Sequence, residues 1–296
     1  MNKISVVKEH ISEWGGKWTE KKLDAFSKYV WSYLTIMKKF PYWKTIYFDG
    51  FAGSGSRKKE KSKLFIQLKL TEEDERVYKS SAERVLTIKD DLTFDYYYFI
   101  DTKKSSIQKL ETKLMSLEIS KDRSLAFRTG DANKWLKELS RTLKTKKFSA
   151  LIFLDPFGMQ IDWQSIESFK ETRSDIWILI PTGVIVNRLL DKKGELKFLK
   201  KLQSFFGLSE EQIRKEFYET KVEDTLFGEA EITRKVLQPI EKISYLYLKR
   251  LNTIWGYTIS KPLRLDNNHG FPIFHFAFAS NNENAVKIAN QIIKGV

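Results

Sequence analysis

Four aspartates are placed where this chain could do chemistry. The apolar, β-prone run Thr45-Ile46-Tyr47-Phe48 ends at Asp49 and empties into Gly50-Phe51-Ala52-Gly53-Ser54-Gly55. A second run, Phe94 to Asp101, is rich in aromatics and also ends in an acid. Leu125 to Arg128 is followed by Thr129-Gly130-Asp131-Ala132, and Ala150 to Leu154 runs into Asp155-Pro156-Phe157-Gly158. Ligands of open α/β sheets bind outside the carboxyl ends of the strands, so Asp49, Asp101, Asp131 and Asp155 are expected to converge on one crevice. Glycines at 50, 53 and 55 allow positive φ and close backbone approach to a ligand. The same triplet fits an ordinary tight turn, and it gains meaning from its position directly after a strand.

The acids suit an adenosine cofactor bearing an amino acid and a sulfonium. A carboxylate after the second strand can accept both ribose hydroxyls, and one after the third can accept from the adenine amine. The glycine loop leaves room for the amino-acid portion, whose cationic end favours a nearby carboxylate. A nicotinamide cofactor fits less well. Its fingerprint places the ribose-binding acid roughly 20 residues on, whereas 52 residues separate Asp49 from Asp101. The fourth strand end suits a different task. An exocyclic base amine is a poor nucleophile because its lone pair is delocalised into the ring. A carboxylate and a backbone carbonyl that accept its two N–H bonds localise and aim that pair. Asp155 and the Pro156 carbonyl are the candidate acceptors, with Phe157 a stacking wall. The alternative is a strand-ending Asp-Pro-Phe-Gly turn with no catalytic role.

The elements that must position these residues follow from periodicity. Leu23, Phe26, Val30, Leu34 and Met37 predict an amphipathic helix over 21–38, closed by Pro41. Of the tryptophans around it, Trp14, Trp18 and Trp31, core packing is expected. Between the glycine loop and a helix start near Ser81 lies an excursion, residues 56–79, basic at first and then acidic. Its basic run fits either a solvated face or a phosphate-tracking flap. Helical patterns then alternate with the strands, and Asp175 to Ile180 forms a fifth, halted by Pro181. Such alternation makes a parallel sheet with right-handed crossovers. Residues 191–256 are expected to be mainly helical, including a capping box at Ser209 and Gln212. Tyr257 to Ser260 and Phe271 to Ser280 are expected as closing strands.

Composition narrows the field. The chain of 296 residues has no cysteine, which excludes disulfides, thiolate metal ligation and a thiol nucleophile within it. Its three histidines, His10, His269 and His275, lie far apart, so no metal site is expected. Neither a signal-peptide pattern nor an apolar run of the ~18 residues that span a bilayer is present, and a cytoplasmic, membrane-free protein is expected. The net charge of +14 favours a polyanionic partner, nucleic acid first.

The motif order FDGFAGSG, FID, GDA, LDPFG, and then a strand ending in Pro-Thr-Gly resembles the class I S-adenosylmethionine-dependent methyltransferases. More narrowly, DGFAGSG, LDPFG and Ile180-Pro181-Thr182-Gly183-Val184-Ile185-Val186-Asn187-Arg188 look like the three-Cys-motif partner family. LDPFG is also similar to the fourth motif of tRNA guanine-N2 dimethyltransferases and, more loosely, to the Asp-Pro-Pro-Tyr motif of amino-group methyltransferases. Gly158 stands where that last motif carries an aromatic.

The resemblance implies a Rossmann-like fold with a mostly parallel seven-stranded sheet and helices on both faces. It implies S-adenosylmethionine held by Asp49, Gly50, Phe51, Ala52, Gly53, Gly55, Asp101, Asp131 and Ala132. Catalysis falls to Asp155, Pro156, Phe157 and Gly158. Lys58, Lys59, Thr182, Asn187 and Arg188 are assigned to substrate, although Asn187 and Arg188 also fit a surface helix start. The family name implies a separate partner carrying three cysteines. A non-catalytic cofactor-fold subunit and a methyltransferase for protein or small molecules are the competing readings. One domain over 1–296 is expected: an N-terminal helical region (1–44), a cofactor-binding core (45–190), a helical insertion (191–256), and closing strands with a last helix (257–296).

Overall fold

The computed structural model describes residues 16–53, 81–88, 91–145, 147–225, 228–267 and 269–296. Helix α1 (Gly16–Met37) precedes strand β1 (Lys44–Asp49). The chain continues through α2 (Ser81–Leu86), β2 (Tyr96–Asp101), α3 (Lys104–Met115), β3 (Leu125–Thr129), α4 (Ala132–Leu143), β4 (Phe148–Leu154), α5 (Trp163–Glu167) and β5 (Ser174–Ile180). A π turn, Thr182–Val186, leads into the short α6 (Asn187–Leu189). After α7 (Leu199–Phe206) and α8 (Glu210–Phe217) come β6 (Tyr218–Thr225), β7 (Gly228–Lys235) and α9 (Pro239–Trp255). The last elements are β8 (Tyr257–Thr258), β9 (Leu263–Asp266), β10 (Pro272–Ser280) and α10 (Glu283–Lys294).

Strands β1 to β5 pair in parallel in the order β3-β2-β1-β4-β5. Strand β10 then pairs antiparallel with β5, and β8 and β9 pair antiparallel with β10. The sheet has eight strands rather than seven. The additional one is β9, which lies in the stretch between the two expected closing strands and pairs with β10.

The strands at the centre are buried on both faces, which is why they read as continuous apolar runs. Helix α1 runs antiparallel to them. Near its start, Trp18 stacks on Phe274 at 5.6 Å; in the middle Phe26 stacks on Phe153 at 4.2 Å; near its end Tyr33 bonds Ser149 at the beginning of β4 (2.9 Å). Helices α2 and α10 pack beside α1, and α3 joins α2 through Lys113 and Glu83. Helices α4, α5 and α9 cover the other face, where Trp163 of α5 meets Tyr247 of α9 edge to face at 5.6 Å.

Two expectations are corrected. The stretch 191–256, expected to be mainly helical, holds α7, α8 and α9 but also a separate antiparallel hairpin of β6 and β7. Trp31 is not core but 47% exposed, while Trp18 is buried. Trp14 and the 56–79 excursion lie outside the described residues. The capping box at Ser209 and Gln212 is present at the start of α8.

Candidate active site

Asp49 is the last residue of β1 and is buried. Its Oδ1 accepts the Phe51 N–H at 3.0 Å, folding the first turn of the glycine loop, and its Oδ2 accepts from the Tyr47 hydroxyl at 3.2 Å. Asp101 ends β2 and accepts the Lys103 N–H at 2.7 Å. Asp155 follows the last residue of β4 and is buried. Because β1 lies between β2 and β4, these three carboxylates share one end of the sheet. Burial pushes the Asp49 carboxyl up to about 7, and the charges of Asp155 and Asp101 add to the rise against the Phe51 and Tyr47 hydrogen bonds.

Asp131 departs from the expected pattern. Strand β3 ends at Thr129, and Asp131 is the N-cap of α4, its Oδ1 accepting from Asn133 N at 3.0 Å and Asn133 Nδ2 at 3.1 Å. It is exposed. A short acidic residue before a helix is selected as a cap as readily as for a ligand. Ala132 beside it is buried.

The glycines also work differently from expectation. Neither Gly50 nor Gly53 is among the positive-φ glycines. A Cβ on Gly50 would sit 2.7 Å from Leu154 Cδ2, and one on Gly53 3.0 Å from Ser106 Cβ. Both sit where the loop packs closely on β4 and α3. Phe51 is half-buried against the core and Ala52 is buried. Gly55, Lys58 and Lys59 lie outside the described residues.

Sequence reasoning missed Lys22. It stands on the apolar stripe of α1 between Trp18 and Phe26, with a side chain 0% exposed, and forms an ion pair with Asp155 Oδ2. A charge at an i, i+4 position inside an otherwise apolar stripe was the available signal. Burial pushes the Asp155 carboxyl up, and the Lys22 ammonium opposes that rise. Pro156 is buried and Phe157 half-buried against the core. A Cβ at Gly158 would meet Gln160 Oε1 at 3.1 Å.

Beyond β5, Thr182 is buried and its hydroxyl lies 2.7 Å from His275 Nδ1 on the neighbouring β10. Burial lowers the His275 imidazole to about 4, so it is neutral at pH 7. It serves as a core histidine that holds the Pro-Thr-Gly turn. Asn187 begins α6 half-buried; its carbonyl accepts Lys235 Nζ at 2.6 Å, tying the β6–β7 hairpin to this end of the sheet. The Asn187 side-chain Oδ1 is buried without a hydrogen-bond partner among the described residues. Arg188 is exposed. Among the described residues no group of three or more His, Asp or Glu side chains is placed to hold a metal ion. No described helix is long and apolar enough to cross a membrane.

Strand order, the antiparallel β10 inserted beside β5, and acids at the ends of β1, β2 and β4 define a Rossmann-like fold of the class I methyltransferase type. Neither a protein-family model nor a curated protein sequence matches the chain. Among solved structures it is similar to a spermidine synthase in complex with the transition-state analogue AdoDATO, at a TM-score of 0.40 and 9% identity over 92% of this chain. The spermidine synthase of Thermotoga maritima gives the same values, and the chain spans 62% of the length of each. A Legionella pneumophila protein of family DUF519 matches at a TM-score of 0.39 and 12% identity, covering 89% of this chain and 97% of the other.

Proposed function

We propose that this chain is an S-adenosylmethionine-dependent methyltransferase acting on an exocyclic amine of a nucleic-acid base. The observation that carries the reading is the set of three carboxylates, Asp49, Asp101 and Asp155, gathered at the ends of adjacent strands. Such a cluster favours a cationic ligand. The residues fit this cofactor: Asp101 would hold the ribose hydroxyls, Asp49 the cationic amino-acid end, and the loop from Gly50 to Gly53 with Ala132 would line the site. When bound, the cofactor supplies an electrophilic methyl group on a sulfonium.

Asp155 and the Pro156 carbonyl accept the two N–H bonds of the base amine and fix its lone pair toward the methyl. As the N–C bond forms, the S–C bond to the methyl would break with its electron pair going to sulfur, leaving a neutral thioether and an amine with one proton in excess. That proton passes to Asp155, whose burial-raised pKa suits it as a base. Thr182, Asn187 and Arg188 flank the incoming base from the β5 side, and Asn187 Oδ1 offers it an acceptor. The motif likeness to the three-Cys-motif partner family adds a proposed cysteine-bearing protein partner.

Asp155→Ala is expected to lower transfer of labelled methyl to RNA or DNA by about 10²–10³-fold while leaving cofactor affinity within a few-fold. Incubation of labelled cofactor with total RNA, DNA and protein reads this out. Label in protein alone would overturn the substrate class, and unchanged transfer in the variant would remove Asp155 from catalysis.

Asp49 gives a second expectation. Its folded pKa of about 7 stands above the ordinary 3.8, so its protonation supports folding fully below about pH 4, and that support is lost as pH rises through 7. A cation bound beside it pulls the pKa down. Cofactor binding at pH 6.5 is therefore expected to release part of a proton from Asp49, and less in Asp49→Asn. Calorimetry in buffers of different ionisation enthalpy measures the release. Equal release in both proteins would place the cofactor's charge elsewhere.

A further inference from the structure

The amino ends of the strands carry a second surface that the crevice chemistry does not use. Lys38-Lys39-Phe40-Pro41-Tyr42-Trp43-Lys44 joins α1 to β1 through two successive tight turns, with Phe40 N bonded to the Met37 carbonyl (2.8 Å) and Trp43 N to the Phe40 carbonyl (3.1 Å). These turns push aromatic rings outward: Tyr42 is 68% and Phe40 41% exposed. The Phe40 and Tyr42 centroids are 6.0 Å apart, and those of Tyr42 and Trp43 5.6 Å. The Arg173 guanidinium lies over the Trp43 ring at 3.9 Å. Beside them opens a groove of about 990 Å³ between α1, the start of β5 and the start of α10, lined by Phe40, Trp43, Lys170 and Arg173 among others.

Exposed rings alone would suit any apolar partner. The charges around them select one. Lys38, Lys39, Lys147, Lys170 and Arg173 are all exposed, and among the described residues none has an ion-pair partner. Lys147 is adjacent because its carbonyl accepts the Lys44 N–H at 3.1 Å. Three acids share this end: Glu171 and Asp175, which line the groove, Asp175 accepting from the Tyr29 and Ser280 hydroxyls, and Asp95, which is occupied by Lys44 at 2.9 Å. Cations thus outnumber carboxylates around a row of rings.

We infer that this surface binds single-stranded nucleic acid, with bases stacked on Tyr42 and Phe40 and phosphates met by the surrounding lysines and Arg173. Stacking on exposed rings needs unpaired bases, since a duplex hides their faces, and it is tolerant of sequence. The surface lies about 20 Å from Asp49, the length of the six-residue β1. A strand of several nucleotides can therefore be anchored here while another nucleotide enters the crevice. That coupling rests on the nucleic-acid part of the proposed function; the binding does not.

The test is fluorescence anisotropy of the full chain with a labelled 20-nucleotide oligouridylate at two salt concentrations. Phe40→Ala/Tyr42→Ala is expected to weaken binding by about 10–100-fold, the loss of one or two stacked bases. Lys38→Glu/Lys39→Glu is expected to weaken it and to flatten the salt slope by roughly one to two. Both variants should unfold in urea as the parent does, which confirms folding, and a duplex of equal length should compete poorly. Unchanged oligonucleotide affinity in the aromatic variant, or equal competition by duplex and single strand, overturns the proposal. A protein partner as the occupant would appear as the first of these outcomes. Binding through these residues without any methyl transfer to total RNA or DNA, whose bases carry the exocyclic amines that uracil lacks, would sink the proposed function and leave this surface standing. Transfer that persists with both variants at parental affinity would do the reverse.

Discussion

Replacing Lys22 with methionine is expected to destabilise the folded chain by about 3–5 kcal/mol at pH 8, and by clearly less at pH 5. The Lys22–Asp155 pair has no exposed side-chain surface on either partner. Taking two charges out of water is costly, and removing one leaves the other buried without compensation. Methionine matches the lysine stem in length, so packing against Trp18 and Phe26 is largely kept and the loss reports charge.

The pH dependence follows from the remaining carboxyl. With the ammonium present, burial already holds Asp155 above the ordinary 3.8, and without it the rise is larger. A folded pKa above the unfolded one gives stability that is complete below about pH 4 and is lost as pH climbs through the folded value. The deficit of the variant therefore grows from pH 5 to pH 8. Urea unfolding at the two pH values measures it, and a deficit of equal size at both would mean that packing, not charge, was lost. Lys22→Met/Asp155→Leu should recover most of the stability, since a buried pair replaced by apolar groups is often neutral or better. The double variant should still lack methyl transfer. A lysine kept at this cost beside the proposed amine acceptor is then explained by the site and not by folding.

Lys22 also marks the limit of what the chain discloses before folding. The parallel sheet was legible because β1, β4 and β5 are buried on both faces and so read as unbroken apolar runs, and β2 reads as an aromatic run with one face partly open. Asp49 and Asp101 were legible as acids closing those runs. The pairing of Lys22 with Asp155 spans 133 positions and exists only once α1 lies along the sheet, antiparallel to its strands. The β6–β7 hairpin was hidden for a different reason. Tyr218 to Thr225 is polar on both faces, and its one aliphatic residue, Val222, is exposed, so no period of two marks a buried face. Its backbone ladder, the Thr220–Thr233 contact at 3.1 Å and the Arg234–Glu223 pair at 2.8 Å hold it instead. Asp131 was ambiguous on chemical grounds, since one carboxylate before a helix serves as cap or ligand alike.

Gly183→Ala is the second large expected effect, a loss of about 3 kcal/mol or more in urea unfolding, at the upper end of what overpacking costs. A Cβ at 183 would lie 1.9 Å from the Pro272 carbonyl oxygen, 2.9 Å from its carbon and 3.0 Å from Ile273 Cα. All three are backbone atoms at the start of β10, so no rotamer change relieves the contact. Either the π turn after β5 or the start of β10 must move. Gly295→Ala is the control: its Cβ would meet nothing closer than 3.7 Å, and a change within about 0.5 kcal/mol is expected. The strand start is held by pairing of β10 with both β5 and β9, whereas the turn has no strand partner among the described residues and is joined to β10 by the Thr182–His275 contact and by packing. The turn should therefore yield, carrying Thr182, Asn187 and Arg188 with it. In Gly183→Ala, cofactor affinity should stay within a few-fold, because Asp49 and Asp101 sit on other strands, while methyl transfer falls with the displaced substrate side. Loss of cofactor binding in a variant that remains folded would instead place the Pro-Thr-Gly turn in the cofactor site.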